Sequence, residues 1–201
     1  MKFLAISGSH RKDGNSYFLS KAVLDSLDCE YEIIQLAEKD ISFCTVCEEC
    51  IDKDCVLVDD LYKIIGKMEE ADALIFAVPK YLSAPSKFTA FLERLASMAH
   101  MRKHLSYAGP PVNPDYVLFD GAKPFCVLAL SGRGEFSEDA LRTIVEYLED
   151  TGLRLVSYEE PPFLAVNVVA GDLVGEVLEK VEAVEECRGL AHKLVESVSI
   201  R

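Results

Sequence analysis

Lys2-Phe3-Leu4-Ala5-Ile6-Ser7-Gly8-Ser9-His10-Arg11-Lys12-Asp13-Gly14-Asn15-Ser16 is the stretch that decides the fold. Residues 2–7 are an apolar run of strand length. Residues 16–27 carry Phe18, Leu19, Ala22, Val23 and Leu27 at helical spacing. A strand, a polar glycine-bearing loop and a helix begin a βαβ unit. The loop is not Gly-x-Gly-x-x-Gly, so it lacks a dinucleotide fingerprint, and it is not the Gly-x-x-x-x-Gly-Lys-Ser/Thr of a triphosphate loop. What remains is a set of neutral hydrogen-bond donors, with Arg11 and Lys12, ahead of a helix N-terminus. That suits a terminal phosphate monoester, whose charge the helix dipole and backbone N–H groups attract. Gly8 and Gly14 let the backbone approach closely. On physics alone, an ordinary turn capped by Asn15 or Ser16 reads equally well. His10 reads as a solvent-facing spacer.

Outward from this unit, strand-length runs alternate with helical patterns. Strands are predicted at 31–36, 73–78, 125–130 and 153–158, and helices at 59–70, 86–98, 137–151 and 174–198. Pro79 stops the clearest strand, and Ser137 with Glu138 and Asp139 suits a helix start. Five strands and five helices in alternation predict an α/β fold, a parallel sheet covered on both faces. The first loop favours the flavodoxin-like doubly wound form, strand order 2-1-3-4-5, over the Rossmann form. Residues 1–201 read as a single domain with a cysteine-rich loop at 40–56, after strand two, and a connecting segment at 97–121.

The first loop also resembles the Ser-x-Arg-x-x-Gly-Asn-Ser/Thr phosphate loop of the NADPH-dependent FMN reductase family, through Ser9, Arg11, Gly14, Asn15 and Ser16. The resemblance implies FMN, with its phosphate at those residues. Pro79, Tyr81 and Ser86 match the same family's Pro-x-Tyr-x-x-x-x-Ser stretch. By that likeness Tyr81 stacks on the flavin, the N–H groups of Leu82 and Ser83 reach ring oxygens, and Lys80 stabilises a negative charge on the ring. Otherwise Tyr81 covers core and Lys80 faces solvent. Ser131, Gly132 and Arg133 follow the fourth strand at the same sheet end, where Gly132 permits close approach to a ring edge.

Cys44-Thr45-Val46-Cys47-Glu48-Glu49-Cys50-Ile51-Asp52-Lys53-Asp54-Cys55 places four thiols within twelve residues. Spacings this short let thiolates turn around one centre. A 4Fe–4S cluster needs four of them, and so does a structural zinc. Zinc sites more often pair two separated Cys-x-x-Cys hooks, so the cluster is preferred, with zinc as the alternative at Cys44, Cys47, Cys50 and Cys55. The motif, placed after strand two of such a chain, is similar to that of the archaeal and bacterial iron–sulfur flavoproteins. That likeness covers roughly the first 160 residues. It implies cytoplasmic electron transfer in a homodimer or homotetramer, a ferredoxin-like donor, and dioxygen, peroxide or another small acceptor. NAD(P)H is the alternative reductant. Glu48, Glu49, Asp52 and Asp54 either lower the cluster's potential or are simply solvated.

Composition bounds these readings. The chain has 201 residues, half of them hydrophobic, and a formal net charge of −13, which lacks the basic footprint of a nucleic-acid binder. No apolar run approaches the ~20 residues needed to span a bilayer, and residues 1–6 are too short for a signal peptide's apolar region. Seven cysteines in a reducing compartment argue for metal or redox chemistry over a disulfide framework. Cys29, Cys126 and Cys187 are scattered, and Cys126 reads as core. His100, Arg102, Lys103 and His104 form a basic spot, either a receptor for a phosphate or partner subunit or a solvated helix end. Nothing resembles a Ser–His–Asp or metal–His arrangement. A plain FMN or quinone reductase with zinc or no metal, and a non-catalytic interaction protein on the same scaffold, are the competing functions.

Overall fold

The structure is a computed structural model that describes residues 1–105, 109–158 and 164–199. Its sheet is built outward from β1 (Lys2–Ser7), which pairs in parallel with β2 (Glu30–Gln35) on one side and β3 (Ala73–Pro79) on the other. β4 (Pro124–Ser131) lies beyond β3 in the same direction, with Leu74 opposite Phe125. The order is β2-β1-β3-β4-β5, as the sequence predicts.

The apolar strands are buried on both faces, and the period-two alternation sorts their side chains. Phe3, Ala5, Ala73, Ile75, Cys126 and Leu128 pack against α1 (Asn15–Leu24) and α5 (Val181–Ser199). Leu4, Ile6, Leu74, Phe76, Phe125 and Val127 pack against α2 (Leu61–Glu70), α3 (Ser86–His104) and α4 (Glu138–Asp150). Phe76 anchors that second face, meeting Phe88 and Phe125 edge-on at ring-centre distances of 6.4 and 5.8 Å. Truncating such a residue to Ala costs about 3–5 kcal/mol. Ser137 caps α4 by accepting the Ala140 N–H at 3.4 Å.

The fifth sheet position differs from the expected single strand at 153–158. β5 is only Arg154–Leu155, beside Pro124 and Phe125. β6 (Val166–Val169) continues the same edge, beside Leu128 to Ser131. β6 is four residues long and buried at alternate residues, Val166 and Val168, too short to show in the sequence against the neighbouring prolines. α3 extends to His104, six residues past its predicted end, into the expected connecting segment. Arg102, Lys103 and His104 form its last turn, where cations complement the helix dipole. The basic spot is therefore a helix end. The last predicted helix is broken at Lys180 into a short 3-10 turn, Glu176–Glu179, and α5.

The parallel order puts the loops after β1, β2, β3, β4 and β6 at one edge of the sheet. Every sequence-predicted site residue belongs to one of those loops or the residues beside it.

Candidate functional site

The loop between β1 and α1 is held in shape by its own polar groups. Asp13 takes a left-handed φ of 50°, and Gln35 at the end of β2 secures it from both sides. The Asp13 N–H donates to Gln35 Oε1 at 2.7 Å, and Gln35 Nε2 donates to Asp13 Oδ1 at 3.0 Å. Ser9 Oγ accepts the Arg11 N–H at 3.0 Å. A Cβ on Gly8 would come 3.0 Å from the Phe88 ring, so glycine lets the loop pass the ring without displacing it.

α1 begins without a side-chain cap. Gly14 is the N-cap residue; its carbonyl accepts the Tyr17 and Phe18 N–H groups at 3.0 and 3.1 Å, but it has no side chain to accept those of Asn15 and Ser16. Neither Asn15 nor Ser16 caps it, so the ordinary capped turn is not what forms. The Asn15 side chain is turned away: Nδ2 donates to Leu173 O at 3.0 Å and Oδ1 accepts the Gly175 N–H at 2.8 Å. The Ser16 hydroxyl is buried with no hydrogen-bond partner. An uncapped helix N-terminus beside an orphaned buried hydroxyl fits a phosphate. FMN is thus compatible with the residues present.

A cleft opens over this helix end, lined by Ser9, Arg11, Asn15, Ser16, Pro79 and Lys80, and continuing over Tyr81, Leu130, Ser131 and Gly132. Nine of the residues picked from the sequence as flavin-facing converge here. Gly14 lies beneath the lining rather than in it. Leu82 is exposed, and Arg133 pairs with Asp172 at 3.2 Å outside the lining. Ser83 borders a separate cleft with Ala84, Leu92 and Tyr147. Ser86 Oγ lies 3.3 Å from His10 Nε2, and the His10 ring is 5.2 Å from that of Tyr81. His10 is solvent-exposed, as expected, but it is more than a spacer. It joins the first loop to the loop after β3. Lys80 Nζ donates to Glu135 O at 2.8 Å, tying that loop to the one after β4.

The remaining wall, Ala170, Gly171 and Asp172, follows β6 and was missed by the sequence reading. Arg11 Nη1 donates to Asp172 O at 3.2 Å. A Cβ on Gly132 would lie 2.5 Å from Asp172 Oδ1, so a larger residue here would turn that carboxylate aside.

The cysteine loop leaves the neighbouring strand at the same sheet edge. Val46 and Glu48 both adopt left-handed φ, 53° and 58°, which is uncommon for a glutamate and an outlier for a β-branched valine. Those turns fall between successive cysteines and curl the chain. The Val46 N–H reaches Cys44 Sγ at 3.5 Å. Cys50 is buried, and burial pushes its thiol above the ordinary range, with Cys55, Cys44 and Cys47 adding to the rise. Among the described residues, no three histidine, cysteine or acidic side chains stand together closely enough to hold a metal ion. The donor set fits a cluster, all thiols and no disulfide, while the loop must draw in to enclose one.

Two arginines of α3 fasten this loop from below. Arg102 Nε donates to Cys50 O at 3.1 Å and Nη2 to Lys53 O at 3.2 Å. Arg94 is 2% exposed, pairs with Asp59, and brings Nη2 to 3.4 Å from Cys55 Sγ. The Tyr62 hydroxyl accepts the Cys55 N–H at 2.5 Å. Arg102 was picked out only as part of the basic spot, not as a support for this loop, and Arg94 carried no signal beyond being a charge on the apolar face of a helix.

A profile described as NADPH-dependent FMN reductase matches residues 1–149. The chain belongs to that family. It is an FMN-dependent oxidoreductase of flavodoxin-like fold. Within the family its similarity runs to iron–sulfur flavoproteins. One from Archaeoglobus fulgidus is 30% identical over 98% of this chain and 94% of its own length. Another, from Methanocaldococcus jannaschii, is 37% identical over 43% of this chain; the match spans about half of that relative, 47%. The crystal structure of RosB with its bound 8-demethyl-8-formylriboflavin-5'-phosphate intermediate superposes with a TM-score of 0.65, covering 98% of this chain and 79% of RosB at 17% identity. At that identity the likeness is one of fold. Among the described residues no helix is long and apolar enough to cross a membrane.

Proposed function

We propose that this family member carries electrons between a 4Fe–4S cluster held by Cys44, Cys47, Cys50 and Cys55 and an FMN held by the first loop. The observation that carries the reading is the Asp13–Gln35 pair. It ties the phosphate loop to the end of β2, from which the chain runs into the cysteine loop. The two motifs are thereby launched side by side. When bound, the cluster supplies single-electron transfer and FMN converts between one- and two-electron transfer.

The chain's own residues bind and orient. Ser9, Ser16 and the open N-terminus of α1 meet the phosphate dianion, and Arg11 adds charge. Tyr81, Ser131 and Gly132 face the flavin ring, with Lys80 across the mouth of the cleft. Arg102 holds the cysteine loop against α3. A ferredoxin-like protein is the proposed donor, with NAD(P)H as the alternative, and a small molecule is the acceptor.

Anaerobic purification followed by iron, sulfide, zinc and flavin analysis tests this. About four iron and four sulfide with one FMN per chain are expected. Zinc without iron, or no FMN released and none taken up, would overturn it.

A further inference from the structure

We propose that Arg94 is a positioning residue for the cysteine loop and sets the reduction potential of the cluster held there. This rests on the assignment of the four cysteines as cluster ligands. Arg94 lies on α3 and is 2% exposed. Its guanidinium faces two groups at once. Nη1 pairs with Asp59 Oδ2, and Nη2 lies 3.4 Å from Cys55 Sγ. Nε is buried with no partner.

A tie between α3 and the start of α2 does not account for this arrangement. Asp59 is already engaged without Arg94, accepting the Ser42 N–H at 2.9 Å and the Leu61 N–H at 3.1 Å. Its carboxylate is 1% exposed, so the pair is dry. A dry ion pair is a poor source of stability, because desolvation offsets the attraction. What the pair does supply is a fixed cation directed at one sulfur.

The charge balance around the loop now resolves. The acids that read from the sequence as potential-lowering are at the surface; Asp54 is 81% exposed. Water and salt screen them. Arg94 acts from the interior, where the same charge at the same distance counts several-fold more. An N–H directed at a ligand sulfur raises a cluster's potential by stabilising the added electron. Arg94 therefore opposes the acidic loop, and Asp59 tempers it by neutralising part of its charge.

The test is a pair of substitutions with opposite signs. Wild type, Arg94→Lys and Asp59→Asn are purified anaerobically, their iron is counted, and the cluster is titrated by EPR at controlled potential. Arg94→Lys keeps a cation for Asp59 but cannot span to Cys55 with the same planar fork. Its potential is expected to fall. Asp59→Asn leaves the guanidinium on Cys55 without its counter-charge, and its potential is expected to rise. Shifts of the same sign, or no shift in an iron-loaded Asp59→Asn protein, would overturn the role of Arg94. Should Arg94→Lys fail to fold, the double variant Arg94→Gln/Asp59→Asn takes its place: it leaves the net charge of the pair unchanged, so a fall in potential reports the lost contact with Cys55, and no fall overturns the role of Arg94. Wild type without iron overturns the cluster assignment, and this inference with it.

Discussion

Asn15 and Gly175 are 160 positions apart, yet Asn15 Oδ1 accepts the Gly175 N–H at 2.8 Å. The contact fastens the loop after β6 to the first turn of α1. In doing so it brings Ala170, Gly171 and Asp172 into the lining of the cleft beside the first turn of α1. Asn15, matched in the sequence as part of a phosphate loop, is thus a strut for that loop's far wall.

Asn15→Ala removes the bonds to Leu173 and Gly175 together. The loop after β6 is partly solvated, so water replaces much of what is lost. A stability cost of about 1–2 kcal/mol is expected. FMN affinity should fall about tenfold, or 1.4 kcal/mol, as the wall loosens. Flavin fluorescence titration and thermal melts of the flavin-free protein measure the two effects.

Ser16→Ala separates binding from folding. The hydroxyl is buried without a hydrogen-bond partner from the chain, so removing it removes a desolvation cost. The flavin-free melting temperature should stay or rise. FMN should bind about tenfold more weakly or worse, since a hydrogen bond to a charged group contributes about 1.5–3 kcal/mol. A parallel fall in both would show that the hydroxyl serves the fold.

Arg102→Gln frees the carbonyls of Cys50 and Lys53 from α3. α3 keeps its core contacts through Phe88, Phe91 and Leu95, so the fold should persist with a cost near 1 kcal/mol. Iron loss to a chelator should speed up severalfold. Retention at the wild-type rate would remove Arg102 from the account of the cysteine loop.

Acid stability should depend on Asp59. Burial works against its ionised form but is outweighed by the Ser42 and Leu61 N–H groups and by Arg94, so its carboxyl lies below the usual range. The native state then binds fewer protons than the unfolded chain. Its contribution is present above the unfolded carboxylate pKa of ~3.9 and is lost as pH falls through the lower folded value. Cluster-free Asp59→Asn should therefore show a shallower loss of stability below about pH 4 than the unsubstituted chain. Urea unfolding at a series of pH values reads the slope.

Much of this was legible in local pattern. Uniformly apolar strands such as Ala73–Pro79 report burial on both faces, and that burial with the strand–helix alternation implies the parallel order. Four closely spaced cysteines report a thiol-bound centre because no globular core has use for them at that spacing. The loop 7–16 showed what it was not, and its resemblance supplied FMN. The open cap of α1 had to be seen, since Gly14, Asn15 and Ser16 read equally as cap or cradle until their side chains had directions.

Tertiary structure alone decided the rest, and for one physical reason. β6 and the wall behind it are defined by pairing with β4 and by Asn15, neither of which leaves a period in the nearby sequence. Arg94 finds Asp59 across 35 positions and Cys55 across 39. Local periodicity records which face of an element is dry. It does not record which distant residue shares that dryness, and the surroundings of both candidate cofactor sites are built from such long-range meetings.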